Sequence, residues 1–205
     1  MGNEINPLQI DALREMVNIG AGNAATALSQ MIKKFVNIDI PQVTFCEVEK
    51  APSIIGDPQL LVTAIYLELL GDASGVILFS FPKAQAHKLS DILLGKPHGT
   101  TRILSEIGQS AIKETATILV GAYLNAISKL LGLRLLTSAP AFAEDMAGAI
   151  IENVLVESGK DADKCFVVNT DLMIVEEKIN AVFFFIPDKE SLNKIFHLMK
   201  VSNGE

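Results

Sequence analysis

Asp11, Glu15 and Asn18 stand in the stretch DALREMVNIG, between apolar positions, and Gly22 follows them. The spacings are four, three and four residues. On an α-helix, at about 100° per residue, they fall within about 60° of arc and form a single ridge. Two carboxylates and a carboxamide in line offer negative charge and directed hydrogen bonds. They do not make a nucleophile with its base. The chain has no cysteine-containing phosphate loop, Walker loop, metal-ligand spacing or Ser-His-Asp set to add to them. A solvated helix surface carries the same residue types, so the ridge alone does not separate function from solvation.

Recurrence does. Ser110, Glu114, Thr117 and Gly121 repeat the ridge 99 residues later, and Pro41 and Pro140 stand at the same offset. Packing accounts for repeated apolar positions; it does not account for a repeated Glu on a solvent-facing ridge. The copy differs in one respect, Thr117 for the amide, and a β-branched hydroxyl cannot present an amide plane.

The elements that must hold these ridges follow from periodicity. Ile10, Leu13, Val17, Ala21, Ala24, Leu28 and Met31 recur at threes and fours, which predicts one helix from Leu8 to about Lys34, with Asn6-Pro7 as cap and first turn. FVNIDIP and VTFCEV alternate as a strand interrupted at Pro41, and Gly56-Asp57-Pro58 marks a turn. LLVTAIYLEL and GVILFSF read as a hairpin, and a shorter helix then ends at Gly95. The second half repeats the order: a helix from about Ile103 to Leu131 stopped by Gly132, strands around KCFVVNTDLMIVEE and INAVFFFIP, and a last helix, KESLNKIFHLMK. The expected fold is therefore an α/β protein with α+β layering. Helix–strands–helix units, duplicated internally (about 7–97 and 102–200), form one domain over 1–205. A continuous sheet carries the two long helices on one face about a pseudo-two-fold axis.

Composition bounds the class. The chain has 205 residues, 49% hydrophobic and 20% charged, a net charge of −7 and mean hydropathy of +0.36. No window of eighteen consecutive apolar residues suggests a membrane span, and MGNEINPLQ has neither a signal-peptide nor a myristoylation pattern. The basic residues are scattered, which argues against nucleic acid. His87, His98 and His197 lack ligand spacing and are expected at the surface or at helix ends, with no metal site. Cys46 and Cys165 are far apart in sequence and read as small buried residues of a reducing, cytoplasmic compartment. Gly22, on the polar ridge, is expected to leave room for a partner, whereas Gly20 could serve either helix packing or partner access.

The pattern Asp/Ser, three residues, Glu, two residues, Asn, with Pro twenty-three positions later, resembles the active-site signature of the CheC/CheX/FliY phosphatases of chemotaxis. Asp11, Glu15, Asn18 and Pro41 match it in full; Ser110, Glu114 and Pro140 match it in the second copy, where Thr117 departs. NIGAGNAATALS and GDASGVILF are also similar to CheC. At residue frequencies of a few per cent, a complete four-residue match arises by chance on the order of 10⁻⁵ per start position. The resemblance implies a phosphatase for the phospho-aspartyl response regulator CheY-P. Phosphoryl hydrolysis needs a cation, an in-line water and charge stabilisation; in this family the substrate brings its own Mg²⁺ and a Lys, so the chain needs no cofactor of its own. Glu15 is implied as an anchor to that Lys, Asn18 as the group that orients the water, and Asp11 as a rim residue. Glu114, with Ser110 and Thr117, is implied as a weaker or docking site. PAFAEDMAGAII resembles a short helix that docks the deamidase CheD, with Phe142, Met146 and Ile150 as an apolar stripe and Asp145 beside it. The alternative is a non-catalytic adaptor for CheY-P or CheD in the chemotaxis or flagellar-switch system. The expected state is a monomer.

Overall fold

In the computed structural model, which describes residues 7–55, 57–157 and 162–202, the two long helices are α1 (Pro7–Ile32) and α4 (Glu106–Leu131), 26 residues each, or about 39 Å. The expected cap at Asn6 lies outside the described residues. At α4 the helix begins three residues later than its periodicity predicts. The Ser105 side chain takes the N-cap and accepts from the Gly108 N–H at 3.2 Å, satisfying one of the free first-turn donors. Gly132, at φ 64°, supplies the left-handed residue that ends it.

The strands are β1 (Val36–Glu47), β2 (Leu61–Gly71), β3 (Gly75–Pro82), β4 (Leu135–Thr137), β5 (Ala141–Met146), β6 (Lys164–Ile174) and β7 (Glu177–Pro187). They form one antiparallel sheet in the order β1-β6-β7-β3-β2-β4, and β5 also pairs β2. The order reads alike from both edges: an interrupted outer strand, then the two strands of a hairpin. Each outer strand lies against the hairpin from the other half of the chain, β1 on β6 and β4/β5 on β2. Both prolines fall on these edges. Pro41 sits in a bulge of β1 between Asp39 and Gln42, and Pro140 in the gap between β4 and β5. A residue without an N–H is tolerated at such places and not in a central strand.

One face of the sheet is covered by α1, α4, α3 (Lys83–Leu93) and α6 (Lys189–Ser202). Leu13, Val17, Leu28, Ile112, Leu119, Leu89 and Phe196 meet Ile65, Phe79, Phe81 and Phe183 there in one buried cluster. Each fully buried side chain of this size contributes about 1.5–3 kcal/mol. The helices α1 and α4 lie directly against one another, and Gly20 is where they touch. A Cβ on Gly20 would stand 3.0 Å from the Ala122 carbonyl oxygen and 2.9 Å from the Tyr123 ring. Gly20 therefore serves helix packing. Tyr123 itself is buried, its ring edge-on to Phe183 and its hydroxyl 3.3 Å from Thr170 Oγ1. Burial pushes its phenol up to about 12.

The second face carries, among the described residues, a 3₁₀ turn (Val48–Lys50), α2 (Ala51–Ile55) and α5 (Ala147–Glu157). Ala147, Ile150, Ile151 and Val154 pack there on Ala64, Val76, Phe184 and Ile186. The expected helical stripe of Phe142, Met146 and Ile150 is not formed. Residues 141–146 are extended and pair with Tyr66–Leu61, because the outer edge of β2 offers a ladder of backbone partners. Phe142 then packs towards the long-helix face, whereas Ile150 packs on the opposite one.

The connection between α3 and α4 is held by one carboxylate. Asp91 is fully buried and accepts from the backbone N–H and hydroxyl of both Thr100 and Thr101, the hydroxyls at 3.0 and 2.6 Å. Burial pushes its carboxyl up, and the hydrogen bonds of Thr101 and Thr100 outweigh this, so the net direction is down.

Candidate functional site

On α1 the apolar side of the helix is consumed by the core, and Asp11, Glu15, Asn18 and Gly22 all face solvent. Among the described residues the side chains of Glu15 and Asn18 have no hydrogen-bond or ion-pair partner. The carboxylate and the amide are thus free to engage an incoming molecule. Nothing lies within 4 Å of a Cβ placed on Gly22, so the C-terminal end of the ridge is open. Arg14, the neighbour of Glu15, reaches the other way: its Nη2 donates to the Pro41 carbonyl at 3.3 Å. That bond ties α1 to the sheet edge at the β1 bulge, one residue from Glu15.

The ridge on α4 is similar in layout and different in chemistry. Ser110 and Glu114 are exposed, and space around Gly121 is equally open. Thr117 is half-buried, and its hydroxyl donates to the Lys113 carbonyl at 2.8 Å. Such back-bonding to residue i−4 turns the only donor of the side chain onto its own helix. Asn18 on α1 has no such internal partner. The two ridges share the carboxylate and differ in the group three residues after it.

Apolar side chains flank both ridges, outside the apolar stripe that packs the core. Ile19, one turn from Glu15, is 54% exposed; Ile107, in line with Glu114 on α4, is 70% exposed. Their signal was present: each is an isoleucine on the polar side of an amphipathic helix. Large apolar groups held in water beside an open carboxylate suit a protein surface better than a small ligand.

The remaining expected site residues lie elsewhere. Phe142, Asp145 and Met146 are on edge strand β5, with Phe142 half-buried, Asp145 exposed and Met146 45% exposed. Of the histidines, His87 lies half-buried on α3, Nε2 3.7 Å from a Glu144 carboxylate oxygen, and His98 Nδ1 is 3.2 Å from Glu177. Among the described residues no group of three or more His, Cys, Asp or Glu could hold a metal ion. No described helix is long and apolar enough to cross a membrane.

Comparison with known proteins shows the family and the fold. The model of the CheC-like family matches residues 8–44, which span the α1 ridge and the Pro41 bulge. The flagellar motor switch phosphatase FliY of Bacillus subtilis is 27% identical over 138 residues, 67% of this chain and 36% of FliY. Among solved structures, Thermotoga maritima FliY superposes with a TM-score of 0.79 at 19% identity, covering 97% of this chain and 98% of that one. The FliM middle domain of H. pylori gives 0.70 at 13% identity, covering 95% and 99%. These two likenesses show the fold. The CheY-P phosphatase CheC of Bacillus subtilis is 32% identical over 198 residues, 95% of either sequence, and on that extent of similarity the chain belongs to the CheC-like family.

Proposed function

We propose that this chain is a cytoplasmic CheY-P phosphatase of a chemotaxis pathway, with α1 as its working ridge. The observation that carries the reading is the free, solvent-facing pair Glu15 and Asn18 within the segment matched by the family model. Hydrolysis of an aspartyl phosphate requires water to attack phosphorus in line as the P–O bond to the aspartyl carboxylate breaks, leaving inorganic phosphate and the free Asp. The Mg²⁺ for that step arrives with the substrate, so this chain contributes positioning. Glu15 pairs with the regulator's Lys and fixes the ridge over the phosphate. Asn18 presents an amide that donates and accepts in fixed directions and so orients the water. Asp11 and Ile19 form the rim, and the empty space at Gly22 lets the regulator's surface approach the helix backbone. Glu114 with Ser110 is a docking ridge: the inward-turned Thr117 hydroxyl supports giving it no hydrolytic role.

The chain acts as a monomer in this reading. The bulge at Pro41 and the gap at Pro140 interrupt both sheet edges, which discourages edge-to-edge pairing. CheD is a second partner, taken by the exposed Asp145 and Met146 of β5. A pull-down with intact protein should retain CheD, and Met146→Asp should reduce capture at least about tenfold, the loss of roughly 1.4 kcal/mol; equal capture by both contradicts that surface. The phosphatase reading is tested by phosphate release from a purified CheY charged with a small-molecule phosphodonor. Release faster than the regulator's own autodephosphorylation supports it. Binding of CheY-P at saturating concentration without faster release identifies an adaptor.

A further inference from the structure

Two cysteines separated by 118 intervening residues in sequence face each other in space. Cys46 on β1 and Cys165 on β6 are directly opposed across the ladder, with their sulfurs 3.7 Å apart. The sequence expectation of two unrelated buried thiols is therefore replaced by a pair. Their settings differ: Cys165 is fully buried against the second-face core, while Cys46 is half-exposed at the sheet edge. Lys50, Glu47 and Lys164 are the charged groups around Cys46, and Glu47 pairs with both lysines, at 2.7 and 3.8 Å.

We infer that Cys46 and Cys165 form a peroxide-oxidisable dithiol that closes reversibly into a cross-strand disulfide, with Cys46 as the attacking sulfur and Cys165 as the resolving one. Opposed residues of an antiparallel pair have Cβ atoms about 4.5–5.5 Å apart. A disulfide wants about 3.5–4.5 Å, so closure draws β1 slightly onto β6 and needs no change of register. Either thiol can donate across this contact; the contact with Cys165 and the two lysines lower the Cys46 thiol, against burial and Glu47. The same contact and burial push the Cys165 thiol up, which keeps it protonated. The thiolate is the reactive form, and access decides which thiol an oxidant meets.

The step balances. The Cys46 thiolate attacks one oxygen of hydrogen peroxide; an S–O bond forms, the O–O bond breaks, and the departing hydroxide takes up a proton. Cys165 then loses its proton and attacks the Cys46 sulfur; the S–S bond forms, the S–O bond breaks, and a second water leaves. Two thiols are oxidised by two electrons and one peroxide is reduced to two waters.

The test uses the whole protein. After treatment with hydrogen peroxide and denaturing alkylation, the wild type should lose both alkylatable thiols as a monomer. Peptide mapping should join Cys46 to Cys165, and dithiothreitol should restore both thiols. In Cys165→Ser, peroxide should leave a sulfenic acid at Cys46 that a dimedone probe traps; in Cys46→Ser, Cys165 should stay alkylatable. The inference is overturned if wild-type thiols survive peroxide at doses that oxidise a free low-molecular-weight thiol. It is also overturned if oxidation gives only intermolecular dimers, or if Cys165 oxidises as fast without Cys46 as with it. The wild-type measurement stands even if a variant fails to fold.

Discussion

Two glycines a helical half-turn apart on α1 divide structure from surface. Gly20 carries the contact of α1 with α4, and Gly22 faces open space. Gly20→Ala should therefore destabilise the protein by about 1–3 kcal/mol, the range for forcing a methyl into a packed interface, read as a lower thermal midpoint. Gly22→Ala should stabilise it by up to about 1 kcal/mol, because alanine is the better helix residue. If the regulator closes over the ridge there, the same substitution lowers phosphate release while the melting point rises. A variant that is both more stable and fully active contradicts partner approach at Gly22. Of these two roles the sequence disclosed one. Gly22 could be indexed to the polar ridge, but Gly20 needed the position of Tyr123, more than a hundred residues away. Likewise the difference between Asn18 and Thr117 was readable as residue type, whereas the turning of the Thr117 hydroxyl onto Lys113 was not.

At the scale of elements, periodicity located both long helices and both hairpins, since each buries a face with its own period. The short helix implied by the resemblance is misplaced around Phe142: it begins only at Ala147. Apolar residues four apart satisfy a helix on paper, and the claim of the β2 edge on residues 141–146 is a tertiary fact invisible to a local pattern. The Asp91 carboxylate offers an element-scale test, because it holds the α3–α4 connection through Thr100 and Thr101. Its folded-state value is depressed below the ordinary one. The stability it adds is thus full above the unfolded carboxyl value of about 3.9 and is lost as pH falls through the lower folded value. Asp91→Asn keeps the size and loses the charge. It should cost about 1–3 kcal/mol at pH 7, the penalty for weakening buried hydrogen bonds to a charged group. Urea titrations at several pH values should show the gap between wild type and variant narrowing below about pH 4. A gap that is constant down to pH 2 contradicts the charged role.

For the whole molecule, the sheet is built so that each half of the chain completes the other's edge, and the two ridges ride on helices packed against each other over it. Neither ridge is a pocket: a carboxylate, an amide or hydroxyl and an exposed isoleucine on a helix flank fit a partner protein that brings its own reactive centre. In the proposed division of labour, catalysis rests on α1 and docking on α4. The direct measurement is phosphate release from CheY-P by wild type, Asn18→Ala and Glu114→Ala over a matched series of regulator concentrations up to saturation. Loss of one positioned water should cost Asn18→Ala about a hundredfold or more, of the order of removing one oriented transition-state donor. Glu114→Ala should retain most of its turnover and lose chiefly apparent affinity. Near-normal release by Asn18→Ala, with collapse in Glu114→Ala, would overturn this division between the two helices.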